Sequence, residues 1–272
     1  MKNVLLFVSG FLVFSLSAQT GGEELPINDI TERRLYQTER ALPYPSVREA
    51  DIMWETRVWR VIDTREKMNL PFRYPQKPFA TLLIEGVESG ELQAYSVEDD
   101  DFSTPLSAQA LNEMIYQVDT LPVYSFETGR EEYQEIRNEL NPEDIKRYRI
   151  KEHWWFDTRS SSLRVRILGI APLIERYDEQ GNLKYETPLF WIYYPHARPF
   201  LANCPAPRDS YHHNPMSWAD LLDMRKFSSH IIKASNVHGR RLEEVYSGVE
   251  LLQRAEMLEQ ELFSREHDVW SY

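Results

Sequence analysis

The chain has 272 residues, seven tryptophans, a single cysteine and a formal net charge of −12. So acidic a balance repels phosphate backbones and anionic lipid, which argues against nucleic-acid and electrostatic membrane binding. Cys204 alone permits no intrachain disulfide. Aromatic residues make up 12 % of the chain, a composition suited to packing and to interfaces with rigid anchors.

Residues 1–18 read as a cleavable export signal. Lys2 supplies the positive start, Val4 to Phe14 the apolar run, and Ser15, Ser17 and Ala18 the small residues before cleavage. The apolar run is too short to span a bilayer comfortably, and no later segment reaches eighteen uninterrupted apolar residues. No cysteine lies near the cleavage point to carry a lipid. The expected product is a soluble acidic protein of roughly 250 residues, enough for one large or two small domains.

Residues 19–50 form an extended arm. Gly21, Gly22, Pro26, Pro43 and Pro45 leave room for little beyond a short helix near Ile30 to Glu39. The spacing of Trp54, Val58 and Ile62 at i+4 predicts a helix over 51–68, stopped by Asn69-Leu70-Pro71. A second helix is expected near Ala80 to Glu88, closed by Ser89-Gly90. Thr104-Pro105 reads as N-cap and first turn of a third helix reaching about Gln117. The acidic loop Glu98 to Asp101 lacks the alternating geometry of a calcium loop.

Asn141-Pro142-Glu143 is another cap, after which the pattern changes. Tyr148 to Phe156, Ser162 to Arg176 and Leu183 to Tyr194 read as strands, with a hairpin turn around Gly181-Asn182. Leu189 to Tyr194 is dense enough in apolar residues for a central strand. Ser217-Trp-Ala-Asp220 is a capping box opening a helix towards Ser235. A last helix from about Arg240 carries Leu242, Val245, Val249, Leu252, Ala255, Leu258 and Leu262 at coiled-coil spacing, ending in an aromatic tail with Trp270. The fold class is α+β: several helices packed with a small, mainly antiparallel sheet, and an extended N-terminal arm. The expected division is 1–18 signal peptide, 19–50 arm and 51–272 domain, the last with a mainly helical lobe at 51–147 and a sheet plus C-terminal helices at 148–272.

Motifs for chemistry are missing. The chain holds no Gly-x-Ser-x-Gly elbow, phosphate loop or dinucleotide fingerprint. His212-His213 with His196 fails on metal-ligand spacing. Cys204 sits in a proline-bounded loop with no base beside it. Among 43 acidic residues, no carboxylate pair can be singled out by sequence. No catalytic, cofactor-binding or metal-binding residue is assigned, and the expectation is a non-enzymatic protein.

Several long words resemble those of the GldN/PorN family. They are Asp51-Ile-Met-Trp-Glu55; Arg57-x-Trp59-Arg60-x-Ile62-Asp63-x-Arg65-Glu66-Lys67-x-Asn69; Leu189 to Pro195; Phe227-Ser-Ser with Lys233-x-Ser235-Asn236-Val237; and Glu266 to Trp270. The family belongs to the type IX secretion and gliding machinery of Bacteroidetes. The resemblance implies a structural periplasmic component that forms a ring with the outer-membrane lipoprotein GldK/PorK and contacts the periplasmic part of the motor protein GldM/PorM. It brings no catalytic residues. It also implies a place in the periplasm, held at the outer membrane through the lipoprotein, with no insertion of its own. Candidate contact residues are Trp54, Val58 and Trp59 in the first element and Leu242, Val245, Val249, Leu252, Leu258 and Trp270 in the last. The competing reading is a periplasmic carbohydrate-binding protein or hydrolase with an aromatic surface near Trp154, Trp191 and Trp218.

Overall fold

A computed structural model describes residues 41–98, 100–125, 130–177, 180, 183–207 and 216–270; the export signal, most of the arm and His212-His213 lie outside them. Leu35–Tyr272 forms one compact unit. Residues 41–48 run without regular structure into the first strand, β1 (Ile52–Asp63), by way of a short 3-10 turn at Glu49–Asp51.

The segment expected to be a helix over 51–68 is therefore a strand followed by a 3-10 helix at Lys67–Arg73. The misreading has a simple cause. Trp54, Val58 and Ile62 are spaced by four, a step that keeps one face of a strand as well as one face of a helix. The intervening Arg60 disguises the alternation, although the Trp, Val, Ile and Thr content already favours a strand.

Helix α1 (Phe79–Glu88) and its left-handed Gly90 terminator match expectation. After β2 (Ala94–Tyr95), helix α2 (Ala108–Ile115) starts later than Thr104-Pro105 suggests. The true cap is Ser107, whose hydroxyl accepts from the Ala110 amide, whereas Pro105 is bridged to Tyr95. The chain then forms an antiparallel hairpin, β3 (Tyr116–Ser125) and β4 (Arg130–Glu139), over a stretch where local pattern predicts no strand.

The Asn141 side chain caps a 3-10 turn at Pro142–Asp144, and β5 (Arg147–Asp157) and β6 (Ser162–Tyr177) follow as expected. The third expected strand is split into β7 (Leu183–Pro188) and β8 (Trp191–Tyr193). Helix α3 (Tyr194–Ala202) comes next, then α4 (Trp218–Asp223), with the capping box between Ser217 and Asp220 formed in full. The expected run of α4 to Ser235 does not occur. Arg225 takes a left-handed conformation at φ 54°, and His230–Ala234 is strand β9. The last helix, α5, spans Gly248–Trp270.

The main sheet is antiparallel, in the order β2-β8-β6-β5-β1-β9, with β7 also paired to β6. Strand β8 lies between two others, as its apolar density requires. Strands from 51–147 and from 148–272 share this sheet. One face of it packs Ile62, Tyr148, Ile150 and Ile170 against α1, α3 and α4. There Phe72, Phe79 and Trp218 stack, with ring centroids 4.3 to 5.3 Å apart. The opposite face carries a smaller cluster of Trp59, Val61, Ala171, Leu173, Trp191 and Ile232.

Candidate interaction surface

Alternation along β1 sends Trp54, Val58, Arg60 and Ile62 to the helix-bearing face and Trp59 and Val61 to the other. Helix α5 lies on the first face. Leu262 packs with Val58, Trp154 and Ile231, and the half-buried Trp54, Leu242 and Leu258 complete this cluster. A groove of about 330 Å³ runs between α5 and the sheet, lined by residues including Trp54, Thr56, Ile231, Leu258 and Arg265. Arg60 fixes the helix further, donating to Glu259 at 2.6 Å and to the Ser229 hydroxyl at 2.8 Å.

The stripe read as one seam therefore divides. Leu258 and Leu262 hold α5 to its own domain, with the Phe263 ring edge-on to Trp154, whereas Val249 and Leu252 are 71 % and 67 % exposed and Val245 is exposed as well. Val58 and Trp59 are buried within the fold. Trp270 ends α5, and its side chain lies outside the described residues.

A second buried ion pair braces the same region. Glu152, wholly buried, pairs with Arg225 and accepts from the Trp154 indole at 2.9 Å. The guanidinium lies 5.3 Å from the centroids of both Trp154 and Phe227.

The other sheet face is cationic. Residues directly opposite across a ladder share a face, so Arg57, Trp59 and Val61 stand beside His153, Lys151 and Arg149, and Lys233 beside Trp59. The Lys151 and Lys233 ammonium groups lie 5.4 Å and 4.4 Å from the Trp59 ring. Burial pulls the Arg149 guanidinium down to about 10, with nearby Arg241 adding to the shift, and burial also lowers Lys151. Nearby, Tyr44 is sandwiched between Arg166 and Arg198, at 4.2 and 4.1 Å, which ties residues 41–48 to the domain.

Words far apart in the chain meet at the end of β1. Buried Asn69 donates to the carbonyls of Asp63 and Ser228 and accepts from the Ser228 amide. Arg60 reaches the neighbouring Ser229. Spacing alone gives no sign of this junction, since 159 residues separate Asn69 from Ser228.

For chemistry the surface offers little. No group of three or more His, Cys, Asp or Glu that could hold a metal occurs among the described residues. Burial pushes the Cys204 thiol up, away from reactivity. Trp154, Trp191 and Trp218 are all buried, so the aromatic platform of the carbohydrate reading does not exist as an exposed surface. No helix among the described residues is long and apolar enough to cross a membrane.

The described residues form an α+β domain with a mainly antiparallel sheet, and its last helix leaves Val249 and Leu252 exposed. The chain matches the family described as "Gliding motility associated protein GldN" over residues 47–271, and it belongs to that family. No curated protein matches it.

Proposed function

We propose that this chain is a non-enzymatic structural component of the type IX secretion and gliding apparatus. It assembles in the periplasm into a ring with an outer-membrane lipoprotein of the GldK/PorK kind and touches the GldM/PorM motor protein. Membership of a gliding-motility family supports the setting. The observation that carries the structural role is α5, which buries one side on its own domain and leaves Val249 and Leu252 in solvent. Singly exposed apolar residues are common, but a stripe on a terminal helix fits a partner. In this reading residues 1–18 direct export, and the lipoprotein holds the assembly at the membrane.

Co-expression of the tagged chain with the lipoprotein tests this. The expected result is a large, stable complex on size exclusion. Elution of the two as separate monomers overturns it.

A further inference from the structure

Strand β1 is paired on one side only over its first half. Its ladder with β5 runs from Ile52 to Asp63, whereas β9 meets it only over residues 58–61. The Ser235 amide adds one bond beyond that, to the Arg57 carbonyl. There the chain leaves the edge, because the Asn236 side-chain oxygen accepts from the His238 and Arg240 amides and closes a turn. In an antiparallel ladder the amide and carbonyl of one residue point to the same side, and the side alternates along the strand. Arg57 faces β9, so Glu55 does too, and among the described residues no backbone bond meets Glu55 from that side.

An open edge of this kind is a template for another strand, and here it borders an apolar hollow. The groove of about 330 Å³ between α5 and the sheet has Glu55, Thr56 and Ser235 in its wall and Trp54, Ile231, Leu258 and Leu262 as its apolar lining. Trp54 and Thr56 stand on the groove side of the sheet and Glu55 on the other, so a strand laid along this edge meets apolar surface on one side and a carboxylate on the other. The charges around the groove differ in how they are matched. Glu259 is held by Arg60 and Arg265 lies beside Glu261, whereas Glu55 meets His153, which carries charge only when protonated.

We propose that residues 52–56 of β1 form a strand-addition site for an extended, basic segment of a partner protein. The segment continues the line of β9 along the sheet. It sets an apolar side chain into the groove beneath α5 and a lysine or arginine opposite Glu55. A helix is a poorer occupant, because it leaves the Glu55 amide and carbonyl without partners. The chain's net charge of −12 favours a basic segment over an acidic one. The site goes beyond the proposed ring contact and is separate from Val249 and Leu252, on the exposed side of α5.

The full chain, purified from the periplasm of an expression host, is used to select from a phage-displayed library of random peptides of about ten residues, the length of a long strand. Enriched peptides are expected to alternate apolar residues with polar ones and to carry lysine or arginine. Glu55→Pro removes the outward amide at an edge position where proline is tolerated, and Thr56→Trp fills the groove. Each should weaken peptide binding about tenfold or more, with circular dichroism and urea midpoints confirming the fold. Glu55→Thr keeps the amide and loses the charge, so it should retain binding with a weaker dependence on salt. Methylating alternate backbone nitrogens of the peptide should abolish binding in one register and spare it in the other, as strand pairing requires. A selection with no peptide sensitive to Glu55→Pro, or peptides indifferent to methylation in both registers, overturns the site. Wild-type self-association that Glu55→Pro abolishes would make the occupant a second copy and overturn the partner assigned here. Co-elution with the lipoprotein is scored in parallel. A chain that enters the large complex but selects no such peptide sinks this site and leaves the proposed function standing, and the converse result sinks the ring and leaves the site.

Discussion

The Arg60 guanidinium, on a residue only 3 % exposed, donates to the Glu259 carboxylate at 2.6 Å and so joins the centre of the sheet to the terminal helix. A buried cation that loses its partner is costly, because desolvation is no longer offset. Glu259 is partly solvated and Arg60 keeps its bonds to Ser229. Glu259→Ala is therefore expected to cost about 1–2 kcal/mol in urea unfolding. Limited proteolysis should show earlier cutting in α5.

The two sides of α5 should respond in opposite ways. Leu262 sits in a cluster with Val58, Trp154 and Ile231, and Leu262→Ala is expected to cost about 2–4 kcal/mol. Leu252 is exposed, so Leu252→Asp should stay within ~0.5 kcal/mol of wild type while reducing assembly. A Leu252→Asp monomer that melts or aggregates would make the outer stripe part of the core.

Glu152 is wholly buried and shared by Arg225 and the Trp154 indole. Glu152→Ala strands one cation and one buried donor, for a loss of about 3 kcal/mol or more in urea unfolding. Removing Arg225 as well, by Arg225→Met, should recover part of that loss, since a buried pair replaced by apolar groups is often tolerated.

Hydrogen bonds from Arg65, and then from Arg147, hold the Asp63 carboxyl well below the usual carboxylate range. A carboxyl depressed in the folded state contributes stability above its ordinary pKa and loses it as pH falls towards the folded value. Asp63→Asn should be less stable than wild type at pH 7. The difference should shrink steadily below about pH 4, where an ordinary carboxyl protonates. Thermal melts across pH would show a shallower acid limb for the variant, and parallel limbs would refute the assignment.

Asn69 makes three buried hydrogen bonds, two of them across to Ser228. Asn69→Ala removes the side-chain bonds to the Ser228 carbonyl and amide and one bond to the Asp63 carbonyl, which keeps the Glu66 amide, for an expected loss of about 2–3 kcal/mol. Asn69→Asp should be no better, because a carboxylate cannot donate to the two carbonyls. Denaturant midpoints of the two variants decide it.

Much of the architecture was legible in local pattern. The capping box at Ser217 and Asp220, the Asn141 cap, helix α1 and strands β5 and β6 all announce themselves within a few residues. So does membership of the family, through long unusual words. The failures share one cause. Trp54, Val58 and Ile62 satisfy helix and strand periods alike, and α4 was extended because nothing local reveals that Arg225 turns left-handed to meet Glu152. The helix expected from Thr104 to about Gln117 overlaps only the start of the hairpin at 116–139, and no strand is assigned from local pattern to the rest of it.

By itself, then, the sequence determined the class, the acidity, the family and most element types, because caps, alternation and composition act over a handful of neighbours. Tertiary structure alone decided which side of the terminal helix is spent on its own domain and which is left for a partner. Val249, Leu252, Leu258 and Leu262 read as one stripe by spacing. Only the position of Arg60 and the Val58 cluster shows that Leu258 and Leu262 are covered and Val249 and Leu252 are not. Burial depends on residues some two hundred positions away in the chain, and no local pattern carries that distance.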